Sequence, residues 1–386
     1  MDKKSNKIKL LVFKRGYPRE TAIVKRINHL FVELVKNNIE IKVISMRDSE
    51  ILKLEEGEIN GIKYVRIGSG LTHKISDFHR IILSLFKYLK LIYKFKNKNT
   101  KNVLYSGSTS LGSFIPILFA KLLGYKIIID IVEDYSRFSE KVKFSYKINF
   151  WTSSKLIKFN VIFSNAMVVI STRLYKKYEG LKAKNIKIIP VTAKINSDTD
   201  KKITFHNPFS VFYVGTFAGK DGVDLIISGF LEFNKIYCNS KLFLVGKGSE
   251  QKKYKRKYAN FKNVVFTGFI PDQDYYPLIQ KADVLCMCRN NSHFANAGFP
   301  FKLGEYLATG KPVIATKVSD VEHYLSNKSA YLIEPDNKKE FIEALRSIKN
   351  NPEEAFNIGI NGQKVCAKYF DINKNSQLFL DLINNI

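Results

Sequence analysis

Cysteine is scarce in this 386-residue chain: Cys238, Cys286, Cys288 and Cys366 are the only four, at irregular spacing. That excludes a disulfide framework and makes a reducing compartment the expectation. Cys286 and Cys288 form C-x-C inside the apolar run ADVLCMC. With no second Cys/His pair nearby, they read as small hydrophobes on one face of a strand rather than metal ligands. No stretch approaches the roughly 18 apolar residues of a membrane-spanning helix. The opening MDKKSNKIKLLVFKRG holds an apolar run of only about five residues, which suits a first strand better than a secretion signal. There is no P-loop G-K-[ST], no H-E-x-x-H and no His/Cys cluster.

Negative charge is scarce too. The chain has 35 Asp and Glu against 63 Lys and Arg, a formal net charge of +28. The imbalance is uneven: residues 1–204 hold 40 basic and 17 acidic residues, and residues 205–386 hold 23 and 18. A lysine-rich composition alone does not account for that asymmetry. A field of this sign attracts nucleic acid, an anionic membrane or phosphorylated substrates. The tyrosines and phenylalanines mostly follow core periodicity instead of alternating with exposed basic residues, so nucleic acid is not the expected partner.

What the chain does have is hydrophobic residues, 45% of the total, arranged in alternating strand-like and helix-like segments. KIKLLVF, IEIKVISM, GIKYVRIGS, KNVLYSGS, YKIIIDIVE, AMVVIS and IKIIPV read as strands in the first half, with GIKYVRIGS a short edge strand. Apolar residues at helical spacing lie between them, as in ETAIVKRINHLFVELVKNN, where His29 sits on a helix face without a role. A polar, irregular stretch at residues 194–208 suits a linker. A second series then runs from FSVFYVGTF to SAYLIEP, followed by KKEFIEALRSIKN and a helix over about 353–383. Repeated β-α units imply parallel sheets covered by helices, and such sheets bind ligands at the carboxyl ends of their strands.

The chemistry-bearing residues cluster at those strand ends. In GFPFKLGEYLATGKPVIAT, Gly298 and Pro300 precede a helix that opens on Phe301, Lys302 and Leu303, with Glu305 on the same face as Lys302. Orphan N–H groups at the helix start favour an anion, Lys302 adds positive charge, and Glu305 can accept hydrogen bonds from a ribose diol. The same residues are also compatible with an ordinary helix bearing an exposed Lys–Glu pair. In VFYVGTFAGKDGVDLI, Gly215 ends a strand and Lys220 lies in the glycine-containing turn that follows. Gly246 ends the strand of LFLVGKGSE. Asp272 in PDQD caps a helix rather than binding metal. In the first half, Gly16 ends the first strand, flanked by Arg15, Arg19 and Glu20. Ser106 to Ser110 end another strand. IIIDIVEDYSRF places Asp130, Glu133 and Asp134 at a strand end, where either Glu133 or Asp134 could orient or deprotonate a hydroxyl. The segment HKISDFHRIILSLFKYLKLIYKFKNKNTK reads equally as a helix against an anionic membrane or as a sheet-covering helix with a solvated lysine face.

Taken in order, FYVGTFAGKDGVDLI, LFLVGKGSE, NVVFTGFI and GFPFKLGEYLATGKPVIAT resemble family four of the retaining glycosyltransferases. The resemblance implies the GT-B architecture: two facing Rossmann-like α/β domains with an interdomain cleft. It implies residues 1–204 as an acceptor-binding domain, residues 205–370 as a donor-binding domain, and a helix at 371–386 packing back on the first. The implied activity is retaining transfer of a sugar from a UDP- or GDP-linked donor to a hydroxyl of a glycan or polyprenyl-diphosphate-linked acceptor in cell-surface polysaccharide synthesis. It implies no cofactor and no metal, with a cytoplasmic or peripheral membrane location. Carried onto this sequence, the site comprises Gly16, Glu133, Asp134, Gly215, Lys220, Gly246, Gly298, Phe301, Lys302, Leu303 and Glu305. Three positions depart from the family pattern. Ala297 stands where the family has its first Glu, with Asn296 beside it as a possible substitute, and Thr216 and Asp221 stand where it has basic residues. A nucleotide-sugar epimerase of similar fold is the enzymatic alternative, and a non-enzymatic basic binding protein for nucleic acid is the alternative from another class.

Overall fold

The computed structural model describes residues 7–19, 21–48, 55–68, 78–107, 111–134, 155–181, 185–195 and 204–386. Glu20, residues 108–110 of the serine-rich segment and residues 196–203 of the proposed linker lie outside them. The chain divides into two compact units, residues 1–189 with 375–386, and residues 190–374.

The first unit is built on an eight-stranded sheet. Its strands are β1 (Ile8–Phe13), β2 (Glu40–Asp48), β3 (Glu55–Ile59), β4 (Ile62–Gly68), β5 (Lys101–Ser106), β6 (Lys126–Ile131), β7 (Ala166–Val169) and β8 (Ile186–Ile188). The spatial order is β3-β4-β2-β1-β5-β6-β7-β8. Every pairing is parallel except β3 with β4. The interior strands are nearly continuous apolar runs such as LLVF and IIID, as a sheet covered on both faces requires. The edge strand is therefore β3, and not GIKYVRIGS, which forms β4 one place inside it. The hairpin between them turns at Asn60 and Gly61, both with positive φ (51° and 76°). Asn-Gly is the dipeptide that a two-residue hairpin turn of this hand favours.

The order reverses direction at β1. From β1 the chain steps to β2 on one side, then from β4 to β5, β6, β7 and β8 on the other. Right-handed crossovers put helices Phe78–Phe95, Leu111–Leu122 and 155–163 on one face, and Ala22–Leu30 with Val32–Lys36 on the opposite face. On that opposite face Phe31 and Tyr105 pack with Phe379 from the C-terminal helix, at ring-centroid distances of 5.8 and 5.5 Å.

A buried ion pair lies within this core. Arg26, 1% exposed, sends Nη1 to Asp130 Oδ2 at 2.6 Å and Nη2 to the Ile189 carbonyl at 2.9 Å. The Tyr105 hydroxyl donates to the same carboxylate oxygen. Burial and that carboxylate together raise the Tyr105 pKa well above its ordinary value.

The second unit holds a six-stranded parallel sheet. Its strands are β9 (Phe209–Val214), β10 (Ser240–Val245), β11 (Val264–Gly268), β12 (Val284–Met287), β13 (Val313–Thr316) and β14 (Tyr331–Ile333), in the order β11-β10-β9-β12-β13-β14. Here the reversal falls between β9 and β12. The C-terminal helical stretch is not continuous. Helix Pro352–Tyr369 ends and helix Ile372–Asn384 begins after Asp371, whose carboxylate accepts from the Lys374 N–H at 2.9 Å. Phe370 and Asp371 pair with Ala193 between the two helices. Likewise, helix Asp272–Gln280 has Pro271 as its N-cap, so Asp272 opens the helix and does not cap it.

Removing one partner from a buried ion pair strands the other charge in low dielectric. Arg26→Met is expected to cost about 3–5 kcal/mol in denaturant unfolding. The double variant R26M/D130N is expected to recover part of that loss.

Candidate functional site

The reversal between β9 and β12 creates an opening at the carboxyl ends of those strands. They pair only at Val284↔Val211 and Leu285↔Phe212. Beyond those pairs they part, and the edge of Val214 facing β12 is left without a ladder partner. The fully buried Tyr306 hydroxyl fills the gap: it accepts from the Val214 N–H at 2.9 Å and donates to the Val214 carbonyl at 3.0 Å. Helix Phe301–Leu307 is thereby fixed against the end of β9. Leu303, Tyr306 and Leu307 face the core, which leaves Lys302 and Glu305 on the other side.

Gly215 follows directly on β9. A Cβ there would collide with Lys302 Nζ and the Tyr213 hydroxyl, so only glycine lets the ammonium come this close to the backbone. Gly246, at φ +124°, and Gly248 bring the end of β10 against Gly215 and Phe217 with equal intimacy. Lys302 Nζ lies 5.4 Å from the centroid of the Tyr213 ring. Burial lowers its pKa to about 8, with Asp221 and Glu305 opposing the shift and the positive charges of Arg289 and Lys220 adding to it.

The turn after β9 is tied to the end of β12. Gly222, at φ +61°, packs so tightly on the Cys288 carbonyl that any side chain would be excluded. Asn290 N–H donates to the Lys220 carbonyl at 3.1 Å and its side-chain amide to the Gly219 carbonyl at 3.0 Å. Asp221 turns inward, accepting from the Thr216 hydroxyl at 2.8 Å and the Ala218 N–H at 3.3 Å. Arg289, just past β12, reaches Asp221 at 3.9 Å with only 13% of its side chain exposed. Lys220 Nζ lies 4.1 Å from the centroid of Phe294. Three cations, Lys302, Arg289 and Lys220, thus meet two carboxylates. Asp221 is engaged by the turn, and Glu305 accepts from the buried Tyr275 hydroxyl at 2.6 Å. Burial, and then Glu305, hold that phenol well above its ordinary pKa. The surplus of positive charge at a glycine-lined strand end favours an anion.

The structure therefore brings Gly215, Lys220, Gly246, Phe301, Lys302 and Glu305 to one end of the second sheet. Gly298 ends the preceding short helix and is buried. Leu303 is fully buried and its N–H donates to the Pro300 carbonyl at 3.1 Å, so it contributes packing. Ala297 is buried as well. The Asn296 side chain is already committed: its amide donates to Asn291 Oδ1 (2.7 Å) and the Ser292 carbonyl (3.1 Å) and accepts from the Ser319 N–H (3.0 Å).

In the first unit, Gly16 turns the chain after β1 at φ +78° and donates its N–H to the Ser45 hydroxyl at 3.1 Å. Asp130 is consumed by Arg26 and Tyr105. Asp134, 4% exposed, is held by Lys177 at 2.5 Å, while Glu133 is more accessible and contributes to the field at Lys14.

Sequence reasoning did not single out Arg289, Tyr275 or Tyr306. Arg289 ends the ADVLCMC strand, and a basic residue at a strand end was the available signal. No local pattern marks either tyrosine, because each acts on a residue about 30 or more positions away.

Protonated Lys302 is the anion-binding form, and a bound anion raises its pKa. Once the probe's own protonation is subtracted, affinity for inorganic pyrophosphate is therefore expected to be flat below about pH 8 and to fall above it, by up to about tenfold per pH unit. Lys302→Met is expected to abolish that pH dependence along with most of the binding, as read by titration calorimetry.

Residues 195–365 match the family model described as glycosyl transferases group 1. Among curated proteins, the O-antigen chain mannosyltransferase C of Escherichia coli is 22% identical over 240 residues. That match spans 58% of this chain and 60% of the relative's length. The sucrose-phosphate synthase of Thermosynechococcus elongatus superimposes with a TM-score of 0.76 at 15% identity, over 98% of this chain and 99% of that one. Anabaena HepE in complex with UDP does so with a TM-score of 0.71 at 15% identity, over 98% and 100%. Among the described residues no group of three or more His, Cys, Asp or Glu is placed to hold a metal ion. The chain has the two-unit Rossmann-like α/β fold of GT-B glycosyltransferases, and the range that matches the glycosyl transferases group 1 model lies mostly in its second unit.

Proposed function

We propose that this chain transfers a glycosyl group from a nucleoside-diphosphate sugar to a hydroxyl of a glycan or polyprenyl-diphosphate-linked acceptor, with retention at the anomeric carbon. The observation that carries this reading is the partly buried Lys302 ammonium beside Gly215, with Arg289 and Lys220 in the same field. It is supported by the group 1 match over the unit that holds the site, and by the UDP complex of a protein with the same fold. The E. coli relative, an O-antigen chain mannosyltransferase, supports a cell-surface glycan as the acceptor class.

Each residue then has a task. Lys302, Arg289 and Lys220 meet the diphosphate and stabilise the charge that grows on it as the glycosidic bond breaks, without a proton transfer. Gly215 and Gly246 admit the phosphates close to the backbone. Glu305 accepts from the ribose diol, while Tyr275 occupies its other oxygen and sets the carboxylate's rotation. In the first unit, Gly16 borders the acceptor side and either Glu133 or Asp134, the latter paired with Lys177, takes the acceptor hydroxyl. Arg289 supplies charge that Thr216 and Asp221 do not. The donor sugar is read without a carboxylate at position 297, because Ala297 is apolar and the Asn296 amide is engaged elsewhere.

A panel of UDP- and GDP-sugars, assayed first for binding and then for transfer to lipid-linked and free glycans, tests the reading. One donor base is expected to be preferred and the product to keep the donor's anomeric configuration by NMR. Glu305→Gln is expected to weaken donor binding about tenfold or more, the loss of a charge-assisted hydrogen bond. The same variant should bind the 2′-deoxyribose donor nearly as well as wild type does. Interconversion of the donor sugar without any acceptor would replace transfer with epimerisation.

A further inference from the structure

Helices Phe78–Phe95, Leu111–Leu122 and 155–163 lie side by side on one face of the first sheet. The Tyr125 hydroxyl ties the strand after the second helix to the Ile92 carbonyl of the first, at 2.8 Å. Lys121 of the second reaches Asn165, just beyond the third, at 2.9 Å. The outward sides of such helices are ordinarily polar. Here they are not. Residues 155–163 bury Ile157, Asn160 and Val161 and turn Phe159, Ile162 and Phe163 outward, with Lys155 and Lys158 exposed on the same helix. The middle helix exposes Ile115 and Leu122, one i,i+7 step apart. The first exposes Phe86 and Tyr93 at the same spacing, between Lys87, Lys90 and Lys94. Exposure of these seven apolar side chains runs from 39% to 78%. None of the three helices contains an Asp or Glu.

We infer that this three-helix face is a seat for an anionic lipid bilayer, with the apolar tips inserted at headgroup depth and the lysines ringing them in contact with lipid phosphates. The pattern combines two features that single-partner explanations lack. A solvated lysine face does not need seven outward hydrophobes, and a hydrophobic protein interface does not need three helices free of acid. A second copy of this chain would bring the same positive charge to the contact and be repelled. A nucleic acid would use the aromatic rings, but it has no use for Leu122, the most exposed of the set, or for Ile115 and Ile162. Lysine stems long enough to lie along the apolar tips keep their charges at the phosphate level. This inference is independent of the donor site, whose residues lie in the other unit.

Sedimentation of the full-length protein with vesicles tests it. Binding to phosphatidylcholine vesicles containing phosphatidylglycerol is expected, about tenfold or more tighter than to phosphatidylcholine alone. Phe159→Ser/Ile162→Ser is expected to weaken binding about tenfold while leaving the melting temperature and nucleotide affinity unchanged, since both side chains are already exposed. Lys87→Glu/Lys90→Glu is expected to weaken binding further and to remove its salt dependence. Unchanged vesicle binding by the apolar variant would overturn the inference in favour of simple charge adsorption. Equal binding to neutral vesicles, no binding to any vesicle, or tighter capture by a single-stranded oligonucleotide would overturn it as well.

Discussion

The hydroxyl of Tyr306 holds together the place where the second sheet reverses direction. Strands that part at a reversal leave backbone N–H and C=O groups unpaired in the interior, and an unpaired buried group costs about 1–3 kcal/mol. One phenol satisfies both groups of Val214. The same contact sets the position of the helix one turn earlier, so Lys302 arrives beside Gly215. Stability and site thus depend on one side chain, and the opening between β9 and β12 is part of the fold and not a defect in it.

Charge is managed differently in the two units. In the first, Arg26 and Asp130 are sealed in the core, where Asp130 Oδ2 meets Arg26 and Tyr105 and a backbone carbonyl accepts from Arg26, while Arg26 Nε and Asp130 Oδ1 make no hydrogen bond. In the second, Lys302 and Arg289 stand close enough to act on each other. Their mutual repulsion helps hold the lysine pKa near 8, after burial itself. The same physics gives opposite outcomes because the first group is closed on every side and the second stands at an open strand end.

The basic character of the first unit also acquires a location. Charge counted along the chain shows only that the first half is positive. Folded, a coherent part of that charge lies on three neighbouring helices whose outward residues are both basic and apolar. The helix over residues 78–95 was evident as basic and amphipathic. The contribution of residues 155–163 was not, because LIKFNVIF has no contrast between apolar and polar faces until burial assigns Ile157, Asn160 and Val161 inward.

Much of this protein was legible in its sequence for local reasons. Apolar runs bounded by glycines marked the parallel strands, the switch from strand to helix periodicity marked the β-α units, and the glycine, Lys302 and Glu305 segments were read as strand-end and helix-start residues, where the fold gathers them at one end of the second sheet. Edge strand β3 carried its own signal, Asn60-Gly61, but its acidic residues hid a strand with little to bury. Tertiary structure alone decided the rest. It broke the last helix at Asp371, engaged Asp134 with Lys177, committed Asn296 to Ser319, and brought Tyr275, Arg289 and Tyr306 to residues distant in the chain. Those outcomes depend on which strands lie side by side and where they part. Sheet order sets both, through contacts that no local pattern of residues encodes.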